Sequence, residues 1–203
     1  MTDDEGNYII KDDGTRAVSE TTKNLGKVAP DWTMGISNTL RYRNLSLSFL
    51  IDVRYGGVMY SGTVSDLRVN GMAEETIGKN RTDIVDKGVK QDGTENTTAI
   101  TPYQFWSNNY SSKVSEANVF DATFVKLREM VLSYQMPQRW FKNCFIGSLA
   151  LGVEGRNLWL MKSNVPHIDP ETNIFGPSAV GSGVEYSAIP TTRSWGFNIK
   201  LTF

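Results

Sequence analysis

Apolar and polar residues alternate without a slip through "RSWGFNIKLTF", residues 193–203. Trp195, Phe197, Ile199, Leu201 and Phe203 share one face, and Ser194, Gly196, Asn198, Lys200 and Thr202 the other. A period of two held this long dictates a β-strand whose faces meet different surroundings. "DWTMGISNTLRY" repeats the pattern, with Trp32, Met34, Ile36, Leu40 and Tyr42 aligned and Asn38 their one polar exception. After a tight join at Arg43 and Asn44, "LSLSFLIDVRY" places Leu45, Leu47, Phe49, Ile51, Val53 and Tyr55 on one face. Two such stretches with a two-residue join predict a hairpin. Strands of about 11 residues exceed the five or six usual in soluble sheets and match what a tilted strand needs to cross a bilayer.

Two more strands are expected between these. In "FDATFVKLREMVLSYQMP", residues 120–137, Met130, Leu132, Tyr134 and Met136 share a parity that upstream carries Lys126 and Arg128. Either those cations lie above the apolar zone, or a bulge between Leu127 and Met130 changes the facing. "GSLALGVEGRNLWL" sets Leu149, Leu151, Val153 and Trp159 opposite Ser148, Ala150, Gly152, Glu154 and Arg156.

The joins alternate between short (42–45 and 137–146) and long (57–119 and 161–191), the habit of outer-membrane barrels. Aromatic residues bracket the strands, Trp32 with Tyr42 and Trp195 with Phe203, as a girdle at each interface requires. A dry sandwich core built on Asp52, Arg54, Glu154 and Arg156 would bury charge at several kcal/mol each unless paired. These four are expected to face a polar lumen. The expected fold is therefore all-β, with an antiparallel transmembrane β-barrel favoured over a soluble β-sandwich.

The acidic start "MTDDEGNYIIKDDG" has neither the basic nor the apolar region of a signal peptide. No stretch of 18 apolar residues exists to form a membrane helix. With 21 Lys and Arg against 22 Asp and Glu, net charge gives no argument for nucleic acid. The lone Cys144 excludes an internal disulfide and is read as an inert thiol. "HIDPE" offers His167, Asp169 and Glu171, too few ligands for a calcium cage and wrongly spaced for zinc, so no metal is expected and Asp169 with Pro170 is read as a turn. "YQFWSNNY" offers Tyr103, Phe105, Trp106 and Tyr110, aromatic faces suited to a sugar or peptide, though such a group more often packs a loop onto itself or holds a lid partner. No nucleophile–base set, phosphate loop or cofactor motif is evident, so an enzyme is not expected.

"PDWTMGISNTLRYRNLSLSFLIDVRYGG", "FVKLREMVLSYQMP", "GRNLWL", "IDPE" and "PTTRSWGFNIKLTF" stand in an order that resembles the C-terminal segment of the SusC/RagA family. These are TonB-dependent outer-membrane transporters. The resemblance covers residues 30–203. It implies a portion of a barrel of about 22 strands in the Gram-negative outer membrane, with residues 1–31, 57–119 and 161–191 as extracellular loops. It implies import of an oligosaccharide or peptide with a SusD-like surface lipoprotein as lid, and coupling to the TonB complex through a plug domain. Plug and signal peptide are not in these 203 residues, so the chain is expected to be a fragment. It also implies that Trp195, Phe197, Ile199, Leu201 and Phe203 form a signal read by the outer-membrane assembly machinery. The alternative of another class is a soluble all-β carbohydrate-binding module without transport activity.

Overall fold

Five long strands form where the alternation is unbroken: β1 (Trp32–Tyr42), β2 (Leu45–Tyr55), β3 (Phe124–Gln135), β4 (Ser148–Ser163) and β5 (Ser194–Thr202). The computed structural model describes residues 1–79, 82–142, 145–176 and 182–203; Cys144 lies outside the described residues. The strands build one antiparallel sheet in the order β5-β4-β3-β2-β1, so each pairs with its neighbours in sequence. The β1–β2 ladder runs unbroken from Tyr42 opposite Leu45 to Trp32 opposite Tyr55. Arg43 takes a φ of 52°, the positive value that a two-residue hairpin demands of its first turn residue.

A bulge decides the facing of β3. Leu50 pairs with Glu129 and the next residue, Ile51, with Leu127, so Arg128 is the extra residue. Across the other edge, Arg156 pairs with Glu129 and Trp159 with Leu127. The extra residue changes the parity. Met130, Leu132 and Tyr134 thereby join the apolar face, while Lys126, opposite Asp52, stays on the polar one. The second of the two readings of this strand holds.

The outcome is a sheet with its usual solvent logic inverted. Apolar side chains that a soluble sheet would bury stand open: Phe197 is 85% exposed, Ile199 68% and Trp195 64%. A row of paired positions, Tyr42, Leu45, Tyr134, Leu151 and Ile199, crosses all five strands near the turn end. At the opposite end Trp32 stacks on Tyr55 with ring centroids 5.2 Å apart.

Segments 1–31, 57–119 and 161–191 all leave from that opposite end. Residues 57–119 are more regular than their composition suggests. Helix α1 (Gly62–Val69) is capped by the Ser61 hydroxyl, which accepts from the Val64 amide. Helix α2 (Pro102–Asn109) opens with Thr101 and Gln104 in a capping box and Pro102 in the first turn. A short 3-10 turn covers Glu74–Thr76. Strands Val184–Glu185, Val58–Ser61 and Val119–Asp121 form a small three-stranded sheet over the roots of both long loops. Beside it Met59, Ala122 and Val165 make a small apolar core, with Phe120 and Ile168 packed against it. The first segment docks through Ile9–Ile10, which runs parallel to Val89–Lys90.

Candidate functional site: the inner face and its loop anchors

The inner face of β2 and β3 carries Asp52, Lys126 and Arg128, and the root of the 161–191 segment lowers Asp169 and Glu171 onto them. Lys126 is 3% exposed. Its Nζ donates to Glu171 Oε2 at 2.5 Å, to Thr191 Oγ1 at 3.1 Å and to Asp169 Oδ2 at 3.2 Å. Arg128 donates from Nη1 and Nη2 to the two Glu171 oxygens at 2.8 and 2.6 Å, and also from Nη2 to Asp52. Its Nη1 reaches Asn157 Oδ1 at 3.2 Å, and Asn157 Nδ2 donates to the Thr192 carbonyl at 3.1 Å. Asp169 accepts from the Thr191 hydroxyl and, at 3.2 Å, from the Glu171 amide.

Two cations and three carboxylates thus bind β2, β3, β4, the 161–191 segment and the entry to β5 into one cluster. Burial pushes the Asp169 carboxyl up, but Thr191, the Glu171 amide and Lys126 outweigh it and hold it below the ordinary value. Glu171 follows the same logic: burial raises it, and Arg128 and Lys126 bring it below its usual range. Beside the cluster a hollow of about 370 Å³ is walled by Lys126, Asn157, Leu160, Ile168, Asp169, Thr191 and Arg193.

The residues expected on the inner face meet different partners. Asp52 joins Arg128 across the strand. Arg54 Nη2 donates to the Val28 carbonyl at 2.9 Å and so holds the 1–31 segment against the wall. Arg156 lies 3.6 Å from Glu129 and 3.9 Å from Glu154, an open ladder of exposed charges. Sequence reasoning missed the centre of the cluster. The signal was there: Lys126 and Arg128 interrupt an apolar parity, and Asp169 and Glu171 supply the matching charges 43 residues downstream.

The four loop aromatics separate. Tyr103 is 67% exposed, while Trp106 is 5% exposed. Trp106 meets Tyr110 at 4.9 Å and Phe105 at 5.2 Å between ring centroids. Three of the four pack the loop onto itself, and Tyr103 alone offers a free face. Arg16 threads into this group, 3.7 Å from the Tyr8 ring centre, and pairs with buried Asp86 at 2.6 and 2.9 Å. Asn109 Nδ2 donates to the same carboxylate at 3.1 Å.

In "HIDPE", His167 turns away from its carboxylate neighbours. Its Nε2 lies 3.0 Å from Glu75 Oε2, while Arg68 Nε donates to Glu75 Oε1 at 2.5 Å. Burial raises the Glu75 carboxyl, yet hydrogen bonds from Arg68 and His167 prevail and hold it at about 2. Asp169 and Glu171 are spent on cations. Among the described residues no group of three or more His, Cys, Asp or Glu is placed to hold a metal ion.

No family model matches the chain. Two curated proteins of Formosa agariphila resemble nearly all of it. TonB-dependent receptor P3 is 25% identical over 206 residues, covering 98% of this chain and 19% of its own length. TonB-dependent receptor P26 is 26% identical over 204 residues, covering 99% and 19%. The chain therefore spans about a fifth of the length of the curated relatives it matches. Among solved structures, the RagAB peptide importer in its closed-closed state has a TM-score of 0.62 and 19% identity, over 100% of this chain and 20% of that one. The RagAB peptide transporter scores 0.63 with 19% identity, over 97% and 22%. The sheet and its loops therefore have the fold of a piece of such a transporter. The resemblance that the motifs carry is met in sequence by these TonB-dependent receptors, and in fold by RagAB.

Proposed function

We propose that this chain is a wall segment of a TonB-dependent outer-membrane β-barrel that imports nutrients, the C-terminal part of a barrel of about 22 strands. One observation carries the reading: five sequence-adjacent antiparallel strands whose outward face is apolar and open while the inward face is polar and ion-paired. Eleven residues at about 3.3 Å each, tilted by about 45°, rise roughly 25 Å, the height of a barrel's apolar band. Leaving that face in water forgoes about 1.5–3 kcal/mol for each large side chain.

In this reading residues 1–31, 57–119 and 161–191 are extracellular, and the short joins at 42–45 and 137–146 face the periplasm. The cargo is an oligosaccharide or a peptide. RagAB is named a peptide importer, which favours the peptide. A SusD-like lipoprotein would close over the loops, and the TonB complex would act through a plug domain outside this chain. Tyr103 would present the free aromatic face to cargo or lid, and Phe105, Trp106 and Tyr110 would hold it in place. The outward row Trp195, Phe197, Ile199, Leu201 and Phe203 would be read by the assembly machinery.

The test is fractionation of a Gram-negative cell making the protein that carries this chain. Retention in carbonate-washed outer membranes, with release only by detergent, is expected. Recovery as a detergent-free monomer with a cooperative melt would overturn the reading in favour of the soluble carbohydrate-binding module.

A further inference from the structure

The near-neutral net charge conceals a polarised distribution. Residues 37–49, 131–142, 145–150 and 197–203 make up the turn end of the sheet and hold Arg41, Arg43, Arg139, Lys142 and Lys200, yet not one Asp or Glu. All 22 acidic side chains lie elsewhere in the chain. All five cations are exposed, and among the described residues none of them forms an ion pair. Arg41 and Lys200 sit on the inner face, opposite Ser46 and Ala150. Arg43, Arg139 and Lys142 lie beyond the strand ends, in the turns. The two turns adjoin, since Asn44 Nδ2 donates to the Gln135 carbonyl at 2.6 Å.

A hollow of about 360 Å³ opens at this end between Arg139, Lys142, Phe141, Phe145 and Phe203. Phe145 and Phe203 stack at 5.7 Å, both more than three-quarters exposed. Trp140 is 62% exposed and Tyr42 69%, with Arg43 5.3 Å from the Tyr42 ring centre. Aromatic rings beside unpaired cations are the chemistry of a membrane–water boundary, where the rings sit at headgroup level and the cations meet phosphate. Among the described residues no Asp or Glu lies at this end to neutralise the five cations.

We propose that the turn end binds the headgroup phosphate of an anionic glycerophospholipid, through Arg43, Arg139 and Lys142, with Phe141, Phe145 and Phe203 against the adjoining glycerol and upper acyl chain. Arg41 and Lys200 add positive field from the inner side. The proposal rests on the barrel reading, which sets this end in the periplasmic leaflet. It adds that the wall selects among lipids there by charge. The continuity of the apolar outer face into this rim supplies the acyl contact, and charge complementarity supplies the headgroup contact.

The test uses the protein that carries this chain, solubilised, stripped of lipid and returned to phosphatidylcholine bilayers. Spin-labelled phosphatidylglycerol and phosphatidylcholine are compared in the motionally restricted shell around the protein. The unsubstituted protein is expected to prefer phosphatidylglycerol at least about fivefold, the effect of one Lys or Arg near an anionic surface. That preference is expected to fall as salt rises, a measurement that needs no variant. The triple variant R43Q, R139Q, K142Q is expected to lose it, and K11Q, K23Q, K113Q at the loop end to keep it. A restricted lipid shell without headgroup preference would overturn the proposal and leave the barrel reading standing. Preference surviving in the rim variant would overturn the assignment to these turns. Absence of any restricted shell would overturn the barrel reading, and this proposal with it.

Discussion

On strand β3, Leu132 is 44% exposed and Lys126, six residues away, is 3% exposed. The two faces of one sheet have exchanged the places that water assigns to an aliphatic chain and an ammonium. On the outer face no described residue covers the apolar rows, and in the proposed function a surrounding medium of low polarity would stabilise them. On the inner face the charges around Lys126 and Arg128 are covered and satisfied by the chain's own loop, while Arg41, Arg156 and Lys200 stay open. The outer face is generic and tolerant, because any apolar side chain of suitable size serves it. The inner face is specific, because a buried ammonium needs its own carboxylates at hydrogen-bonding distance.

Breaking the inner face is expected to have the largest effect. Lys126→Ala leaves Asp169 beside Glu171 with their central cation gone, and a loss of about 3–5 kcal/mol is expected for one partner removed from a buried pair. Denaturant unfolding in detergent measures it, and a loss under 1 kcal/mol would mean that Arg128 alone satisfies both acids. The outer face is expected to rank second. Met130→Arg should cost about 2–4 kcal/mol near the bilayer midplane, while Val131→Arg on the polar side should cost far less. Equal costs at these neighbouring positions would show that the two faces do not meet different media.

Smaller effects belong to the loops. Thr101→Ala removes the capping box of α2 and is expected to lower stability by about 0.5–2 kcal/mol, read as faster hydrogen exchange across residues 102–109. The smallest effect is one of pH. Glu75 is held at about 2 against an ordinary value of 4.5, so its contribution is complete above pH 4.5 and is lost as pH falls from 4.5 towards 2. Loosening of the Arg68–Glu75–His167 contact over that window is expected in hydrogen exchange. A Glu75→Gln variant should show a flat profile there, and an unchanged slope would assign the pH response to another acid.

The strands were legible because alternation is a local property. The expected starts at 32, 45 and 193 lie within one residue of the observed ones. The expected start at 120 missed because Ala122 and Thr123 turn aside: Thr123 donates to Asp121, whose short strand pairs with Val58–Ser61. The loop helices were less legible, although Thr101-Pro102-Tyr103-Gln104 spells a capping box. Tertiary contacts settle those helices more than their own weak apolar periodicity does. The charges of the ion cluster stood out in the sequence, but their pairing was illegible for a physical reason. Its partners are separated by tens of residues, and only the bulge at Arg128 together with the fold of the 161–191 segment brings them within hydrogen-bonding distance.

The small sheet made of Val58–Ser61, Val119–Asp121 and Val184–Glu185 ties the necks of both long loops next to the wall. Residues threaded beyond those knots, Asp169 and Glu171 apart, can be added, deleted or exchanged, and the strands below keep their alignment because the tether lies between them and the change. Such a layout lets the loop tips change in length and composition without disturbing the strands beneath them. Natural variation and laboratory grafting would both find their freedom in 62–118 and in the part of the 161–191 segment beyond Glu171, and their limit at the knots and at the carboxylates that hold Lys126 and Arg128.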